Sequence, residues 1–388
     1  MSAIDTPRGR AVLIVGHVAG MVDMVALPVW VGNLVQHYGF NPQQAGGIVT
    51  LFLLGVVIAS VLLAPRFERL PRRWLPTIGY GISACAFLAA STVHNFGQLA
   101  ILHVLGGLGV GCALSMTHGT IGRSLNPHRL FAYAQAVLGL FAIGFLGAVP
   151  QVIASNGGPA FFTVLMGVML VAALCTAVGF PVAQTVTTSQ TESQPMQGIG
   201  RGTWFAIAGV LLLTLNQAMM FSFLERIGVD RHFGVDRVNL VLVATGILGL
   251  FPALIAALLQ KCLNPRTVAL AAPWVQTLLA LIVTHAAIFV PYAVAGSFYP
   301  FVTLFAHTFL FGLIARLDPS GRAVASTPAM VMTGSAIGPF LAGTLVLTMG
   351  YEAIGVGVAV VAVVSTVLVS RISRASSAPE SGMVGLVN

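Results

Sequence analysis

The chain has 388 residues, 57% of them hydrophobic and only 7% charged, with a mean hydropathy of +0.94 and a formal net charge of +8. Soluble domains carry roughly 25% charged residues, so this composition excludes a soluble enzyme and predicts an all-α polytopic membrane protein. The positive charge is not a nucleic-acid signal, because its placement, described below, is that of a membrane-orientation signal.

In chain order, the first ten residues, MSAIDTPRGR, are polar and basic. The apolar stretch behind them, 11–36, is too long for the core of a signal peptide and predicts a spanning helix that stays attached. One carboxylate, Asp23, stands near its middle. On the lenient insertion scale a lone acid there costs roughly 2.5–3.5 kcal/mol, so its presence needs a reason. Further apolar segments predict spans near 44–64, 76–94, 97–120, 130–154 and 159–180, then 203–224, 237–259, 267–286, 290–315, 324–348 and 351–370. The one long polar connection is PVAQTVTTSQTESQPMQGIGRG. Its Ser, Thr and Gln cannot bury a core, which makes it a flexible linker. The expected organisation is an N-terminal six-helix half (1–180), a cytoplasmic linker (181–202) and a C-terminal six-helix half (203–388).

Orientation follows from the basic residues. With the N-terminus inside, fifteen of the 18 Arg and Lys residues fall in inner segments, and only Arg226, Arg231 and Arg237 fall outside. Those three share the stretch ERIGVDRHFGVDR with Glu225, Asp230 and Asp236, which reads as a locally neutral outer loop. All but one of the basic residues are Arg, which points to a GC-rich bacterial genome and hence a bacterial inner membrane. The halves also echo each other. IGRSLNPHR (121–129) and IARLDPSGR (314–322) set two arginines six apart around a turn, and LPRR (70–73) meets NPRT (264–267) at nearly the same shift. Two consistent shifts of about half the chain indicate a duplicated unit, a common transporter pattern.

Twelve spans, a central inner linker and paired halves resemble the major facilitator superfamily. That family's loop between spans 2 and 3 reads Gly-x-Leu-Ala-Asp-Arg-x-Gly-Arg-Lys. APRFERLPRR (64–73) aligns with it without gaps, with Glu68 standing for the Asp and Arg69, Arg72 and Arg73 matching. Both glycines of the motif are replaced, by Ala64 and Pro71. In span 4, HVLGGLGVG (103–111) puts His103 where the family often has an Arg before Gly-x-Gly, and GSAIGPFLAG (334–343) in span 11 resembles the glycine-proline pattern of proton antiporters. The resemblance implies alternating access of two halves. It implies a cytoplasmic gate that here would comprise Glu68, Arg69, Arg72, Arg73, Arg123, Arg129, Arg316, Asp318 and Arg322. It also implies a central cavity lined by spans 1, 4, 7 and 10. The glycines Gly107, Gly111, Gly334, Gly338 and Gly343, with Pro339, read as helix-packing residues.

No basic residue lies in a span interior, so Asp23 has no permanent cation. Either its carboxyl keeps a proton much of the time, because burial disfavours the charge, or it faces a watery cavity; both suit a proton-coupled carrier. At ~1.5 Å per residue, Asp23, His103, Asn216 and Gln217 stand at similar depths, with His307 nearer the cytoplasm. The expected cavity therefore holds Asp23, His103, Asn216, Gln217, Tyr299 and His307, with Asp23, His103 and His307 as candidate proton-coupling groups. His17, His118 and His285 read as hydrogen-bonded interior histidines. Cys85, Cys112, Cys175 and Cys262 sit singly and read as small core residues, and no metal-spaced cluster, nucleophile triad or phosphate loop appears. The expectation is a monomeric, cofactor-free transporter rather than an enzyme, whose partners are a small-molecule substrate, protons and the lipid bilayer. Efflux antiport is the first reading, and proton symport of an organic acid is the alternative. A non-transporting membrane receptor or scaffold is a remote third.

Overall fold

The computed structural model describes residues 3–63, 73–181, 200–318, 323 and 327–372. The linker segment 182–199 and the loop segment 64–72 lie outside these residues. After a short 3-10 turn at Ala3–Asp5, the helices are α1 (Pro7–Gly20), α2 (Val22–Tyr38), α3 (Pro42–Leu63), α4 (Leu75–Ala90), α5 (Phe96–Ile121), α6 (Pro127–Asn156) and α7 (Pro159–Gly179). The second part holds α8 (Arg201–Asp230), α9 (Val235–Leu248), α10 (Pro252–Leu259), α11 (Pro265–His285), α12 (Phe289–Leu317), α13 (Thr327–Met349) and α14 (Glu352–Ser370). Span 1 is α1 with α2, and span 8 is α9 with α10, bent by 42° at the break before Pro252. Span 3 is the 16-residue α4. The remaining spans are single helices, which makes twelve among the described residues.

Local chemistry explains where these helices start. Asn95 accepts hydrogen bonds from the backbone N–H of Gly97 and Gln98, Asn126 from Arg129 and Asn264 from Arg266. Asn41 and Gln44 cap each other reciprocally, at 2.8 and 3.2 Å. Each side chain satisfies donors that the first helical turn leaves free, and Pro at the opening positions of α6 and α11 removes a donor that needs no partner.

The packing is two-fold. Span 1 packs on spans 4, 5 and 6, and span 7 on spans 10, 11 and 12. Span 3 packs on 4 and 6, as span 9 does on 10 and 12, and span 2 packs on 4 as span 8 does on 10. Between the halves, span 1 meets span 7, span 2 meets span 11, and span 5 meets span 8. Such pairwise correspondence is the three-dimensional form of the sequence repeat.

The cores reveal how the halves meet. One cluster runs through both halves, from Val18 to Ala173 and from Leu215 to Val358, and joins the halves at the end of the bundle away from the termini. Toward the terminal end it gives way to two separate clusters, one of Ile4, Val12, Leu13, Met116, Ile121, Leu130 and Phe180, the other around Val210, Ala272, Leu310 and Ile314. The halves are therefore closed distally and parted at the terminal end.

The distal closure between spans 2 and 11 is a backbone-to-backbone contact. A Cβ at Gly46 would come within 2.1 Å of the Pro339 carbonyl oxygen, and one at Gly343 within 2.2 Å of that of Pro42. Gln43 donates to Thr344 Oγ1 at 3.0 Å, and the Phe340 N–H donates to Thr50 Oγ1 at 3.2 Å. Only glycine lets the chains approach this closely.

Candidate functional site

Asp23 stands at the level where the shared distal core divides into two. It is 1% exposed, and both carboxylate oxygens are buried without a side-chain hydrogen-bond partner among the described residues, with the backbone N–H groups of Asp23 and Met24 beside them. The local backbone supplies what side chains do not. α1 stops at Gly20, Met21 leaves helical geometry (φ −112°, ψ 14°), and Asp23 falls in the first turn of α2. A helix N-terminus carries free N–H groups and the positive end of the helix dipole, so a broken spanning helix offers a carboxylate a partial positive charge at mid-depth. Pro28, inside α2, cannot hydrogen-bond to the carbonyl of Met24 and loosens the same segment. Met24 itself is partly buried and packs against both the shared core and the terminal-end core of the second half.

The other residues expected around Asp23 are directed elsewhere, and no hydrogen bond among the described residues joins any of them to it. Fully buried His103 sits in a cage of Trp30, Phe87 and Phe162. Its Nε2 accepts from Trp30 Nε1 at 3.2 Å, and its Nδ1–H donates to the Leu99 carbonyl at 2.7 Å. Both ring nitrogens are used in one neutral tautomer, so its geometry is that of a packing residue and not of a cavity base. Asn216 points its amide toward the Val358 carbonyl of α14, at 3.5 Å. Tyr299 donates to the Asn216 backbone oxygen at 3.0 Å. Gln217 Oε1 accepts from Thr303 Oγ1 at 2.6 Å, and Thr303 in turn accepts from Gln276 Nε2 at 2.7 Å. These are joints between span 7 and spans 9, 10 and 12. His307 lies 3.2 Å from Thr214 Oγ1 and stacks on Phe311, nearer the terminal end. Depth along a helix placed these residues at one level; helical facing, which depth cannot give, separated them.

Two polar arrangements were not foreseen from the sequence: the mutual pairing of His17 and His118, each expected as a hydrogen-bonded interior histidine, and the inclusion of Glu225 in a span. His17 and His118, 101 residues apart in sequence but adjacent in space, meet with Nδ1 and Nε2 3.0 Å apart, and His17 Nε2 is 2.8 Å from Gln135 Oε1. The set is satisfied when His118 donates to His17 and His17 donates to Gln135. The second is Glu225. The expected outer loop is shorter than its charges suggested, because α8 continues to Asp230. Arg226 and Asp230, one turn apart and 2.6 Å from each other, keep the last turns helical, so Glu225 belongs to the span.

At the terminal end, Glu68, Arg69, Arg72 and Arg322 lie outside the described residues. Arg73 covers the Trp74 ring, Arg129 donates to Tyr133 Oη at 2.7 Å, and Asp318 accepts from the Ala323 N–H at 2.8 Å. Arg123 follows the end of α5, and Arg316 is exposed in the last turn of α12. Asp5, which the sequence did not single out, is 2% exposed, accepts from the Leu125 N–H at 3.1 Å and pairs with Arg10 at 3.7 Å, pinning the N-terminal turn to the loop after span 4. Gly107 and Gly111 face the backbone of α3 at Phe52 and Val56, while Gly334 and Gly338 face α8 at Leu211 and Ala218.

Among the described residues no group of three or more His, Cys, Asp or Glu is placed to hold a metal ion. No curated protein matches the chain. A family model described as Major Facilitator Superfamily matches residues 12–317. With twelve spans, the two-fold packing of the halves and a match over most of its length, the chain belongs to the Major Facilitator Superfamily of secondary transporters.

Proposed function

We propose that the protein is a proton-coupled transporter that exports small apolar or amphipathic organic compounds by antiport, with its termini in the cytoplasm of a bacterial cell. The observation that carries the reading is Asp23: a carboxyl at mid-depth, buried, without a side-chain partner, beside a break in span 1 and at the level where the halves part. A carboxyl so placed changes charge as its access to water changes, and a group of that kind is what couples proton movement to alternating access. With the basic residues of the terminal end facing the cytoplasm, the parted cores correspond to an inward-facing state.

Among the described residues no cation pairs with Asp23, which favours export of neutral or cationic compounds over import of anions. Arg226, in the last turns of α8, is engaged by Asp230. The sulfur of Met24 at the junction of the cores adds an adaptable apolar surface for varied substrates.

Asp23→Asn tests this. The amide keeps shape and hydrogen-bonding capacity but cannot exchange a proton. The variant should fold at least as stably as the parent and still bind substrate, yet lose substrate-linked proton flux in proteoliposomes. Normal proton-driven transport with Asn at this position refutes the reading, and a lowered melting temperature with intact coupling marks Asp23 as structural.

A further inference from the structure

Glu225 sits where three spans of the two halves converge on its own helix at the distal end. Its carboxyl occupies space left by Gly32 of α2: a Cβ at Gly32 would fall 2.5 Å from Oε2 and 2.9 Å from Cδ. A water-sized cavity beside it is lined by Pro150 of α6, Glu225 and Val229 of α8, and Val238, Asn239 and Leu242 of α9. Two side-chain oxygens of this lining are buried without partners among the described residues, Glu225 Oε2 and Asn239 Oδ1. Both are acceptors. The amide nitrogen of Asn239 donates to the Gly147 carbonyl, at 3.4 Å, and among the described residues it makes no hydrogen bond to Glu225. Pro150 has no N–H to offer, and the rest of the lining is apolar.

One proton resolves both orphans. A protonated carboxyl becomes a donor, able to serve the unpartnered Asn239 Oδ1 of the same cavity lining. An ionised Glu225 places a charge in a lining that holds no cation and leaves room for only about one water to solvate it, which is costly.

Among the described residues no other charge takes over this role. On α8, Arg226 is engaged by Asp230, which also accepts from Tyr351 before α14. On α9, Asp236 is exposed and Arg237 lies over the Phe289 ring. Tyr292 of α12 donates to the Leu224 carbonyl, His37 of α2 is exposed, and His285 of α11 bonds the Leu281 carbonyl. Arg231 and Glu352 pair with each other.

We propose that Glu225 is a proton-binding site of the outer gate: the distal contact of spans 1, 5, 7 and 8 closes with Glu225 protonated and opens as it ionises. The site is assembled from both halves, with Gly32 and Pro150 in one and Glu225 and Asn239 in the other, so it exists only when the distal side is shut. Protons from the outside thereby favour closure and the return to the inward-facing state. The inference rests on the alternating access and orientation proposed above, but not on Asp23 as the coupling group.

The test is reactivity of Val238→Cys, which is 1% exposed in the closed cavity lining, toward a membrane-impermeant maleimide. It is made in proteoliposomes, with Cys85, Cys112, Cys175 and Cys262 replaced by Ala. Labelling of the otherwise unaltered protein, taken at each pH relative to a cysteine at the exposed position Met349 so that thiolate formation cancels, should rise with external pH, by at most about tenfold per pH unit, the limit for one linked proton. Glu225→Gln, which always offers a donor, should label slowly at every pH. Asn239→Leu, which removes the acceptor of the proton, should move the rise to lower pH. Asp23→Asn should keep the pH response. A flat profile before any Glu225 substitution, or a persisting response in Glu225→Gln, overturns the proposal. So does a response abolished by Asp23→Asn but not by Glu225→Gln, which would leave Asp23 as the titrating group and the transport reading intact.

Discussion

Gly46→Ala isolates the distal contact between spans 2 and 11. The added methyl would lie 2.1 Å from the Pro339 oxygen and 2.6 Å from its carbonyl carbon. Ordinary contact requires about 1 Å more than this, so α3 and α13 must move apart by about that much. The opposing atoms are backbone, braced by the Gln43–Thr344 and Thr50–Phe340 hydrogen bonds, and no rotamer change relieves the clash. Overpacking of this kind costs about 1–3 kcal/mol. Because Gly46 meets the other half only when the distal side is closed, the cost falls on that state alone and should favour distal opening by about 5- to 150-fold. Gly107→Ala is the control. Its methyl would lie 2.0 Å from the Phe52 oxygen, within the same half, so it strains both states alike. Nitroxide labels at the exposed positions Asn41 and Met349, one on each half, report the opening as a longer inter-label distance in pulsed electron resonance. Gly46→Ala should enrich the long-distance population, and Gly107→Ala should lower the melting temperature without enriching it. An unchanged distance distribution in Gly46→Ala, with the protein folded, refutes the gate reading of this contact.

Two further substitutions separate structural polar groups from coupling groups. Trp30→Phe removes the donor to His103 Nε2 inside the aromatic cage and should cost about 1–3 kcal/mol, read as a lowered melting temperature, with proton coupling retained. Lost coupling at full stability would return His103 to the transport pathway. Arg231→Gln should destabilise by about 1.5–3 kcal/mol because Arg231 also holds the Thr284 and Ala286 carbonyls at the end of α11, whereas Glu352→Gln breaks only a half-exposed ion pair and should cost under about 1 kcal/mol. Equal melting temperatures for the two variants would show that those carbonyl contacts add nothing.

Composition and periodicity settled the class of this protein. Apolar runs of about twenty residues have one outcome in a bilayer, since a helix satisfies its backbone groups internally, and the repeated arginine turns carried the duplication. Asp23 was legible for the same reason: a charge in an apolar run stands out with no knowledge of its surroundings. Which residues share a site was a different question. Asp23, His103, Asn216 and Gln217 stand at similar depths, but an interval along a helix says nothing of azimuth until the neighbouring helices are in place. Tertiary packing turned His103 into its aromatic cage and Asn216 toward α14. The pairing of His17 with His118 and the burial of Glu225 against Gly32 were equally hidden, because each depends on groups brought together from distant spans. The stretch from Glu225 to Asp230 read as a loop because it is charged, yet it is helix because an Arg–Asp pair one turn apart and the contact with span 1 outweigh hydropathy there. Local sequence decides whether a segment enters the membrane; the facing of its polar groups is decided by the helices that pack around it, since a buried polar group goes where a partner or a proton can satisfy it.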